Sequence, residues 1–407
     1  MVTAKKLPLE GVRVLDLTQF LSGPFGSQVL ADLGAEVIKL EGPQGDSSRQ
    51  IPPHFVAGDS VYYHSVNRNK RSVVVDLKAK EGLEIARELA LSCDVVLENF
   101  RPSVLPRLGL SAEALRAQKP SLIWCSISGF GQDGPYREKP AYDMIVQALS
   151  GGMSLTGEPG GPSVRSGVPI GDLTAGLYAA VAVLAALARR SATGEGDTID
   201  ISMLDCQAAM LSYQAAYYLF TGKVPGLQGT GHDSFATYRR FLCAEDTEIV
   251  ITANTDRMWQ GMCRTLGLER LISDPRFLDS HQRHVNRLAL WQELEPCFLI
   301  RTAQAWCPML EAEGVPVGVV NTLDQVVTDP QIVHRQMVST IAATDGRQVR
   351  VMGNPIVMDG TREARNRMPP RLGEDTDEVL REVLGYSSDL IKNLASRGSI
   401  QLDKAET

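Results

Sequence analysis

The sequence lacks the paired cysteines that mark a zinc site, a redox motif or a disulfide framework. Its cysteines are odd in number and scattered, with no Cys-x-x-Cys spacing: Cys93, Cys125, Cys206, Cys243, Cys263, Cys297 and Cys307. His281 and His284 are helically spaced, but the pattern supplies no third ligand, so we interpret them as surface residues and predict no metal. Scattered, unpaired thiols are typical of a reducing compartment. We therefore expect a cytoplasmic protein.

The sequence also lacks an excess of basic residues, a secretory leader and a long apolar run. Its net charge of −7 and pI near 5.5 give no electrostatic argument for nucleic-acid binding. The stretch before Pro8 is too short to hold a signal peptide. The longest apolar stretch, Leu177–Ala188, is shorter than the roughly 20 residues that span a bilayer. We predict neither a nucleic-acid nor a membrane partner.

What the sequence does contain is enough apolar character for two domains, with 43% hydrophobic residues in 407. Val12–Leu17 and Ala35–Glu41 are predicted strands, and Phe25–Leu33 is a predicted helix between them, which makes a βαβ unit. Glu41 stands where a dinucleotide-binding enzyme keeps its ribose-binding acid, so an NAD-dependent oxidoreductase is one alternative. The turn after the first strand argues against it, because it lacks Gly-x-Gly-x-x-Gly and Pro24 removes an N–H group.

Further strands predict an α/β fold with two domains. Apolar runs at Val73–Leu77, Cys93–Leu97 and Ser121–Ile127 continue the sheet, and the Gly- and Pro-rich segment Thr221–Gly231 breaks the pattern. We predict a large domain from residues 1–221, a small α+β domain from 222–320, and a return to the large domain with C-terminal helices over 321–407. The part of this segment over Gly226–Gly231 is either an interdomain linker or a gate that keeps water from the site, with Gly229 and Gly231 as its flexible positions.

The most informative stretch is Arg165–Leu177, in which Asp172 follows a Gly- and Pro-rich loop and precedes the predicted helix Leu173–Arg190. One interpretation of Asp172 is a helix N-cap. The other is a nucleophile that the positive helix end keeps ionised. Gly167, Gly171 and Gly176 would then let a bulky substrate come close. Arg165, and Arg49 after the second strand, are either surface residues or cations for a substrate carboxylate.

Several motifs together resemble the family III coenzyme A transferases, from about Leu7 to Ile400. The loop that holds Asp172 has the form Gly-x-x-x-Gly-Asp-x-x-x-Gly and leads to Thr193–Met203. A strand ends in Leu97-Glu-Asn-Phe-Arg-Pro102, which is similar to the Val-Glu-Asn-Phe-x-Pro of the family, and residues 370–380 have its form Pro-x-Leu-Gly-x-x-Thr-x-Glu-Val-Leu. The resemblance implies a Rossmann-like large domain built from both chain ends, an interlocked homodimer, and Asp172 as the residue that holds the acyl group. It also implies the residues that line the coenzyme A channel: Phe20, Leu21, Ser22, Lys70, Arg71, Asn99, Phe100, Arg107 and Tyr142.

Departures from the family pattern narrow the expected activity. Leu21 stands where formyl-CoA transferases have Gln. The α-methylacyl-CoA racemase branch has Gly-His-Asp where this chain has Ala141-Tyr142-Asp143, and Tyr, with an ordinary pKa of about 10, is a poor base. An α-methylacyl-CoA racemase therefore remains an alternative to a CoA-transferase, beside the less favoured NAD-dependent oxidoreductase. The chain is most similar in motifs to the group of succinyl-CoA:glutarate and acetyl-CoA:oxalate type, which act on small dicarboxylates.

The expected reaction moves CoA from an acyl-CoA such as succinyl-CoA to a small carboxylic acid, through an aspartyl anhydride and an aspartyl-CoA thioester on Asp172. It requires no prosthetic group, because CoA itself is the substrate. Pocket depth is not readable from a linear sequence, so glutarate, succinate, itaconate and oxalate all remain possible acceptors.

Overall fold

The computed structural model describes residues 6–343, 346–358 and 366–403. The strands in this part of the chain are β1 (Arg13–Asp16), β2 (Glu36–Glu41), β3 (Phe55–Val56), β4 (Asp59–Ser60), β5 (Lys70–Val75), β6 (Val95–Glu98), β7 (Ile123–Ser128), β8 (Thr198–Ser202), β9 (Tyr238–Leu242), β10 (Glu248–Thr252), β11 (Val317–Val319), β12 (Val338–Ala342), β13 (Gln348–Met352) and β14 (Ile400–Gln401).

The α-helices of the same ranges are α1 (Ser22–Asp32), α2 (Val61–Ser65), α3 (Lys80–Ser92), α4 (Val104–Arg107), α5 (Ala112–Arg116), α6 (Asp143–Leu149), α7 (Gly152–Leu155), α8 (Ile170–Thr193), α9 (Met203–Met210), α10 (Ser212–Thr221), α11 (Asp256–Leu266), α12 (Ser280–Val285), α13 (Arg287–Phe298), α14 (Ala303–Ala312), α15 (Leu323–Val326), α16 (Pro330–His334), α17 (Thr376–Leu384) and α18 (Ser388–Ser396).

A seven-stranded sheet in the order β14-β5-β2-β1-β6-β7-β8 forms the centre of the first compact unit, which comprises Met1–Gly152, Arg165–Thr221 and Gln331–Thr407. Its strands are parallel except β14, which runs antiparallel to β5. The prediction of an α/β fold is confirmed by this largely parallel sheet. Strand order reverses around β1 and β6, and in open α/β sheets ligands bind beyond the carboxyl ends of the strands at such a point.

Helices cover both faces of the sheet, which explains why its strands are apolar without alternation. On one face, Leu15 and Val96 belong to a buried cluster with side chains of α3, α17 and α18. On the other face, Val14 and Leu97 belong to a second cluster with side chains of α1, α8 and α9. Both β1 and β6 are thus fixed from two sides, and their carboxyl ends can hold a site rigidly.

The second compact unit comprises Met153–Val164 and Gly222–Pro330. Its antiparallel sheet has the order β11-β10-β9, and buried Phe241, Trp259 and Phe298 lie in its core. Strands β9 and β10 form an antiparallel hairpin whose turn contains Glu245 and Asp246. The predicted small domain covers residues 222–320, whereas the second unit also includes 153–164 and 321–330. The bounds of the small domain stay a prediction.

Some predicted elements differ from those observed. The apolar pattern over Met203–Phe220 predicts one helix, but the structure has two, because Ser212 has a φ of 47° and interrupts the backbone pattern. The sequence of Pro355–Met358 predicts a strand, but the structure has none there. Strand β13 pairs with β12, which was not predicted.

Helix α8 is longer than predicted at 24 residues. It is the one helix among the described residues that is long and apolar enough to cross a membrane, a test that core helices of soluble proteins also pass. Its Ala175, Ala179 and Val183 are buried in the sheet-facing cluster.

Candidate active site

A cavity of about 210 Å³ lies at the carboxyl ends of β1, β6 and β7 in the first unit. It brings Asp172 together with several residues predicted to line a coenzyme A channel, namely Phe20, Ser22, Asn99, Phe100 and Tyr142. The rest of its wall comes from Arg101, Pro102, Ile127, Ser128, Gly129, Arg137, Lys139, Pro140, Ala141 and Met203. The position agrees with the general placement of ligands in open α/β sheets.

Asp172 lies in the first turn of α8 but is not its cap. The helix begins at Ile170, and the capping position is Pro169, which supplies no side-chain bond. Asp143 takes that role from α6, because its Oδ1 accepts hydrogen bonds from the backbone N–H groups of Gly171 at 2.7 Å and Asp172 at 3.4 Å. Gln147 Nε2 holds the other oxygen of Asp143 at 2.6 Å. The N-cap interpretation of Asp172 is therefore wrong.

The electrostatics of Asp172 also differ from expectation. Burial, together with the negative charge of Asp143, raises the pKa of its carboxyl group to about 7, against a hydrogen bond from the Ser22 hydroxyl that lowers it. The prediction that the helix end keeps Asp172 ionised is contradicted, because Asp143 already occupies the free N–H groups of the first turn. The group titrates near neutrality, which is common for functional carboxylates in clefts.

Close packing of α1 on α8 brings Ser22 to Asp172. A Cβ atom on Gly176 would lie 2.5 Å from the Ser22 carbonyl oxygen, and one on Gly26 would lie 2.8 Å from the Gly176 carbonyl oxygen. A Cβ on Gly171 would lie 2.9 Å from Asp143 Oδ1. Gly171 and Gly176 thus permit contacts within the protein, and the prediction that they make room for a substrate is wrong for both.

The turn that precedes α1 is held in place by side chains that follow β6 and β2. Asn99 exchanges two hydrogen bonds with the backbone of Gln19, at 2.9 and 2.8 Å. Phe20 has a φ of 64°, in the left-handed region that a bulky residue rarely adopts, and its N–H group donates to Asp46 Oδ1 at 3.1 Å. These bonds hold Phe20 and Ser22 at the cavity wall.

Lys70 lies beneath this turn rather than in the channel. Its side chain is fully buried, and Nζ donates to Asp16 Oδ2 at 3.0 Å, to Asn67 Oδ1 at 2.8 Å and to the Pro24 carbonyl oxygen at 3.0 Å. Its three N–H groups are therefore all used within the protein. The prediction that Lys70 binds the nucleotide end of coenzyme A is contradicted.

Arg71 points to the amino end of the sheet, away from the cavity. Its guanidinium forms ion pairs with Glu36 at 2.8 Å and Glu382 at 3.0 Å. A phosphate at this position would have to displace those carboxylates, so the assignment of Arg71 is contradicted as well. The remaining predicted channel residues, buried Leu21 and exposed Arg107, do not line the cavity.

Arg49 is a buried structural cation. Its guanidinium donates to both oxygens of Glu41, at 2.8 and 2.7 Å, and to Asp59 at 2.7 Å, and it stacks on the Tyr63 ring. Its proposed role in binding a substrate carboxylate is therefore wrong. Because Glu41 is buried and accepts from Arg49 and Ser72, it is not a free ribose-binding acid either. The main argument for an NAD-dependent enzyme is thereby lost.

Arg165 is exposed and its side chain donates to the carbonyl oxygen of the adjacent Ser166; it does not line the cavity. The cations that do line it are Arg101, Arg137 and Lys139, which the sequence analysis missed. Lys139 lies over the Tyr136 ring at 3.5 Å. Their positions could have indicated this role, because Arg101 lies just after β6, and Arg137 and Lys139 lie between β7 and α6.

The predicted gate positions belong to the second unit. Gly229 N donates to the Gly157 carbonyl oxygen at 2.9 Å, and Gly231 bridges to Arg239. The gate role stays a prediction. Within residues 6–343, 346–358 and 366–403, no group of three or more His, Cys, Asp or Glu is placed to hold a metal ion.

Comparisons with known proteins identify the family of this chain. A family model described as CoA-transferase family III matches residues 9–376. The chain is 39% identical to the human (Homo sapiens) succinyl-CoA:glutarate CoA-transferase over 98% of this chain and 91% of that protein. It is 38% identical to the acetyl-CoA:oxalate CoA-transferase of Acetobacter aceti over 93% and 96% of the two chains. A CAIB/BAIF family crystal structure from Brucella suis matches with a TM-score of 0.83 and 36% identity, covering 93% of this chain and 100% of that chain. The resemblance seen in the motifs is confirmed: this chain is a CoA-transferase and belongs to CoA-transferase family III.

Proposed function

We propose that the protein transfers CoA from an acyl-CoA donor such as succinyl-CoA to a small dicarboxylate, with Asp172 as the covalent nucleophile. The observation that supports this most directly is the position of Asp172 on the wall of the cavity, next to the Ser22 hydroxyl and without a cationic partner among the described residues. The names of the similar enzymes point to dicarboxylates as the acids involved.

The reaction proceeds through acyl transfer steps that conserve charge. The Asp172 carboxylate attacks the thioester carbonyl, the C–S bond breaks, and CoA leaves as the thiolate with the bonding electrons. The thiolate attacks the Asp172 carbonyl of the anhydride, which releases the donor acid and leaves an aspartyl-CoA thioester. The acceptor carboxylate then attacks this thioester, and the liberated thiolate attacks the acceptor carbonyl of the new anhydride. Acyl-CoA leaves and the Asp172 carboxylate is restored.

The raised pKa of Asp172 suits this chemistry. A carboxylate is a stronger nucleophile when its conjugate acid is weaker, and Asp172, with a pKa of about 7, is still partly ionised at neutral pH. Burial of the group also removes water that would hydrolyse an anhydride or a thioester. We therefore expect transfer activity to rise with pH through about 7, as the carboxylic acid loses its proton.

A dicarboxylate leaves one carboxylate free when the other reacts, and that group requires a fixed cation. Arg101, Arg137 and Lys139 line the cavity in this structure, while Arg165 remains a candidate on the catalytic loop. Replacing each of the four with Met in turn separates them, because losing the correct cation should lower kcat/KM for dicarboxylates by an amount equivalent to about 2–4 kcal/mol and spare monocarboxylates. An equal effect on both acid classes would contradict a role in recognising the distal carboxylate.

The covalent mechanism is tested by trapping. Enzyme mixed with succinyl-CoA and then hydroxylamine should show a hydroxamate on Asp172 by peptide mass spectrometry, and Asp172→Asn should show none. Exchange of label between succinyl-CoA and free acids of two to six carbons then identifies the acceptor. Modification at another residue, or full activity in the variant, would refute the mechanism.

The protein is further proposed to act as a cytoplasmic homodimer. Leu177, Val181 and Phe220 on α8 and α10 are exposed apolar side chains, of the kind that subunit interfaces cover. All cysteines are free thiols, which suits a reducing compartment. Analytical ultracentrifugation tests whether the protein is a dimer, and sedimentation as a monomer at micromolar concentration would contradict the proposal.

A further inference from the structure

Gln147 is a buried amide on α6 that connects Asp143 to the loop before α8. It is 3% exposed and does not line the cavity. Its Nε2 donates to Asp143 Oδ2 at 2.6 Å, and its Oε1 accepts from the backbone N–H group of Ser166 at 2.9 Å. Because a backbone N–H group can only donate, the amide oxygen must face Ser166 and the amide nitrogen must face Asp143. The surroundings therefore fix the orientation of this side chain.

Asp143 is the partner through which Gln147 reaches Asp172. The two partners are four positions apart on α6, so their side chains lie on one face of that helix. Asp143 Oδ1 accepts from the backbone N–H groups of Gly171 and Asp172, whereas its Oδ2 is held by Gln147. A carboxylate bonded through both oxygens cannot rotate about its Cβ–Cγ bond without breaking one set of bonds. Gln147 thus fixes the orientation in which Asp143 caps α8.

The loop before α8 is poorly packed. Residues 165–168 are exposed except Ser166, which is half-buried, and a Cβ atom on Gly167 would meet no heavy atom within 4 Å. The backbone N–H groups of Ser166 and Gly171 donate to side chains of α6, at 2.9 and 2.7 Å. The segment between them is thus tied at both ends to about one turn of that helix. These hydrogen bonds, more than packing, determine the path of the chain into α8.

The path of this segment affects Asp172 directly. Asp172 follows Gly171, belongs to the first turn of α8 and lies on the cavity wall. Displacement of a reacting group by about 1 Å is enough to lower a rate about a hundredfold. A second buried amide, Gln207 of α9, donates to Thr174 Oγ1 at 3.2 Å, but this bond lies later in α8 and does not involve the segment before it. The bonds of Gln147 are therefore placed to influence catalysis, and Gln207 offers a matched comparison.

We propose that Gln147 is a positioning residue that places the Asp172 carboxylate for attack on the thioester. It does so by holding the Asp143 side chain and the Ser166 backbone together, without contact to the substrate. When the amide is lost, Asp143 is free to rotate and the segment before α8 loses an anchor, so Asp172 occupies the attacking position for a smaller fraction of the time. The effect on acyl transfer rests on the proposed function, whereas the tether between α6 and α8 does not.

The first experiment measures the rate of acylation in the full-length enzyme. Enzyme and succinyl-CoA are mixed at about pH 8.5, where Asp172 is ionised, and the acyl group on Asp172 is trapped with hydroxylamine over time. Gln147→Met, which keeps the side-chain length but forms neither hydrogen bond, should lower this rate by about tenfold or more and change the Kd for CoA by less than about twofold. Gln207→Met, which removes a similarly buried amide from α8, should change neither value by more than about twofold. An unchanged rate in Gln147→Met, or an equal loss in Gln207→Met, would overturn the proposal.

A double-mutant cycle tests whether Gln147 acts through Asp143. Asp143→Ala removes the carboxylate that the amide holds. In that background Gln147→Met should slow acylation by less than about threefold, against about tenfold or more in the wild type, because only the bond to Ser166 is left to lose. A contribution of Gln147 to folding alone would instead appear equally in both backgrounds, and an equal loss in both would overturn the proposal.

Amide hydrogen exchange, read residue by residue by mass spectrometry, measures the tether without any transfer activity. In the wild type, the amide hydrogens of Ser166 and Gly171 should exchange at least about tenfold more slowly than that of Gly167, whose N–H group forms no hydrogen bond within the described part of the chain. Gln147→Met should reduce this difference to less than about threefold, whereas Gln207→Met should retain it. Equally fast exchange at the three positions in the wild type would overturn the proposal even if Gln147→Met does not fold, and so would a difference that persists in Gln147→Met. If the wild type exchanges as expected but forms no trappable acyl group, the proposed function fails while the tether stands.

Discussion

Replacing Asp172 with Asn should stabilise the protein at neutral and alkaline pH. The pKa of Asp172 is raised from 3.8 to about 7 in the folded chain, so the unfolded chain loses the proton at lower pH than the folded chain. The cost to folding is absent below about pH 4, grows as the pH rises towards 7, and is complete above it. At 1.36 kcal/mol per pH unit, the upper limit is about 1.5 kcal/mol at pH 5 and about 4 kcal/mol at pH 8. Asn does not titrate and avoids this cost.

Urea unfolding followed by circular dichroism at about pH 5 and about pH 8 measures the difference between Asp172→Asn and the wild type. We expect the gain in free energy of unfolding to be larger at the higher pH, by about 1–2 kcal/mol after relaxation of the site. Asp133→Asn, an exposed acid in the loop after β7, is the matched control and should show no such growth with pH. A variant no more stable than the wild type at about pH 8 would refute the account of a buried, uncompensated Asp172.

Three further outcomes follow from the same contacts. Asp143→Asn removes a charge that raises the pKa of Asp172, so the ascending limb of kcat/KM should move to lower pH; an unmoved limb would contradict the coupling. Gly176→Ala should lower the free energy of unfolding by about 1–3 kcal/mol because its Cβ would meet the neighbouring helix, whereas Gly167→Ala, with open space around it, should change it by less than about 0.5 kcal/mol. Arg49→Met should destabilise the fold by about 3–5 kcal/mol in thermal or urea unfolding, and a stable variant with a selective loss for dicarboxylates would restore its role in the site.

The fold could be predicted to the extent that it depends on local pattern. The strands β1, β2, β6 and β7 are short apolar runs bounded by turn residues, and such runs predict strands buried on both faces. Breaks inside helices are less visible. The interruption between α9 and α10 occurs at Ser212, where neighbouring Leu211 and Tyr213 continue the apolar pattern, and only the backbone angle reveals it.

The site could be predicted only in part, because its electrostatics come from residues far apart in the chain. Asp172 was found from its position at the start of an apolar helix. Its true cap, Asp143, lies 29 positions earlier on another helix. The sequence near Asp172 alone pairs the free N–H groups of α8 with Asp172 itself, which predicts the wrong direction for its pKa shift. Likewise, Lys70 and Arg49 looked like ligand cations because the sequence does not show the carboxylates that face them.

Charge compensation by lysine distinguishes the buried structural acid Asp16 from Asp172, the proposed nucleophile. Asp16 is fully buried, and although burial acts to raise its pKa, Lys70 and Lys39 hold it well below its usual range. Asp172 and Glu98 have no cation among their described partners, and burial raises the pKa of both to about 7. Only Asp172 lies on the cavity wall, where a thioester can reach it. The fold therefore places lysines beneath the turn that precedes α1 and leaves the acid at the cavity without a cation, which yields a rigid frame around the proposed nucleophile.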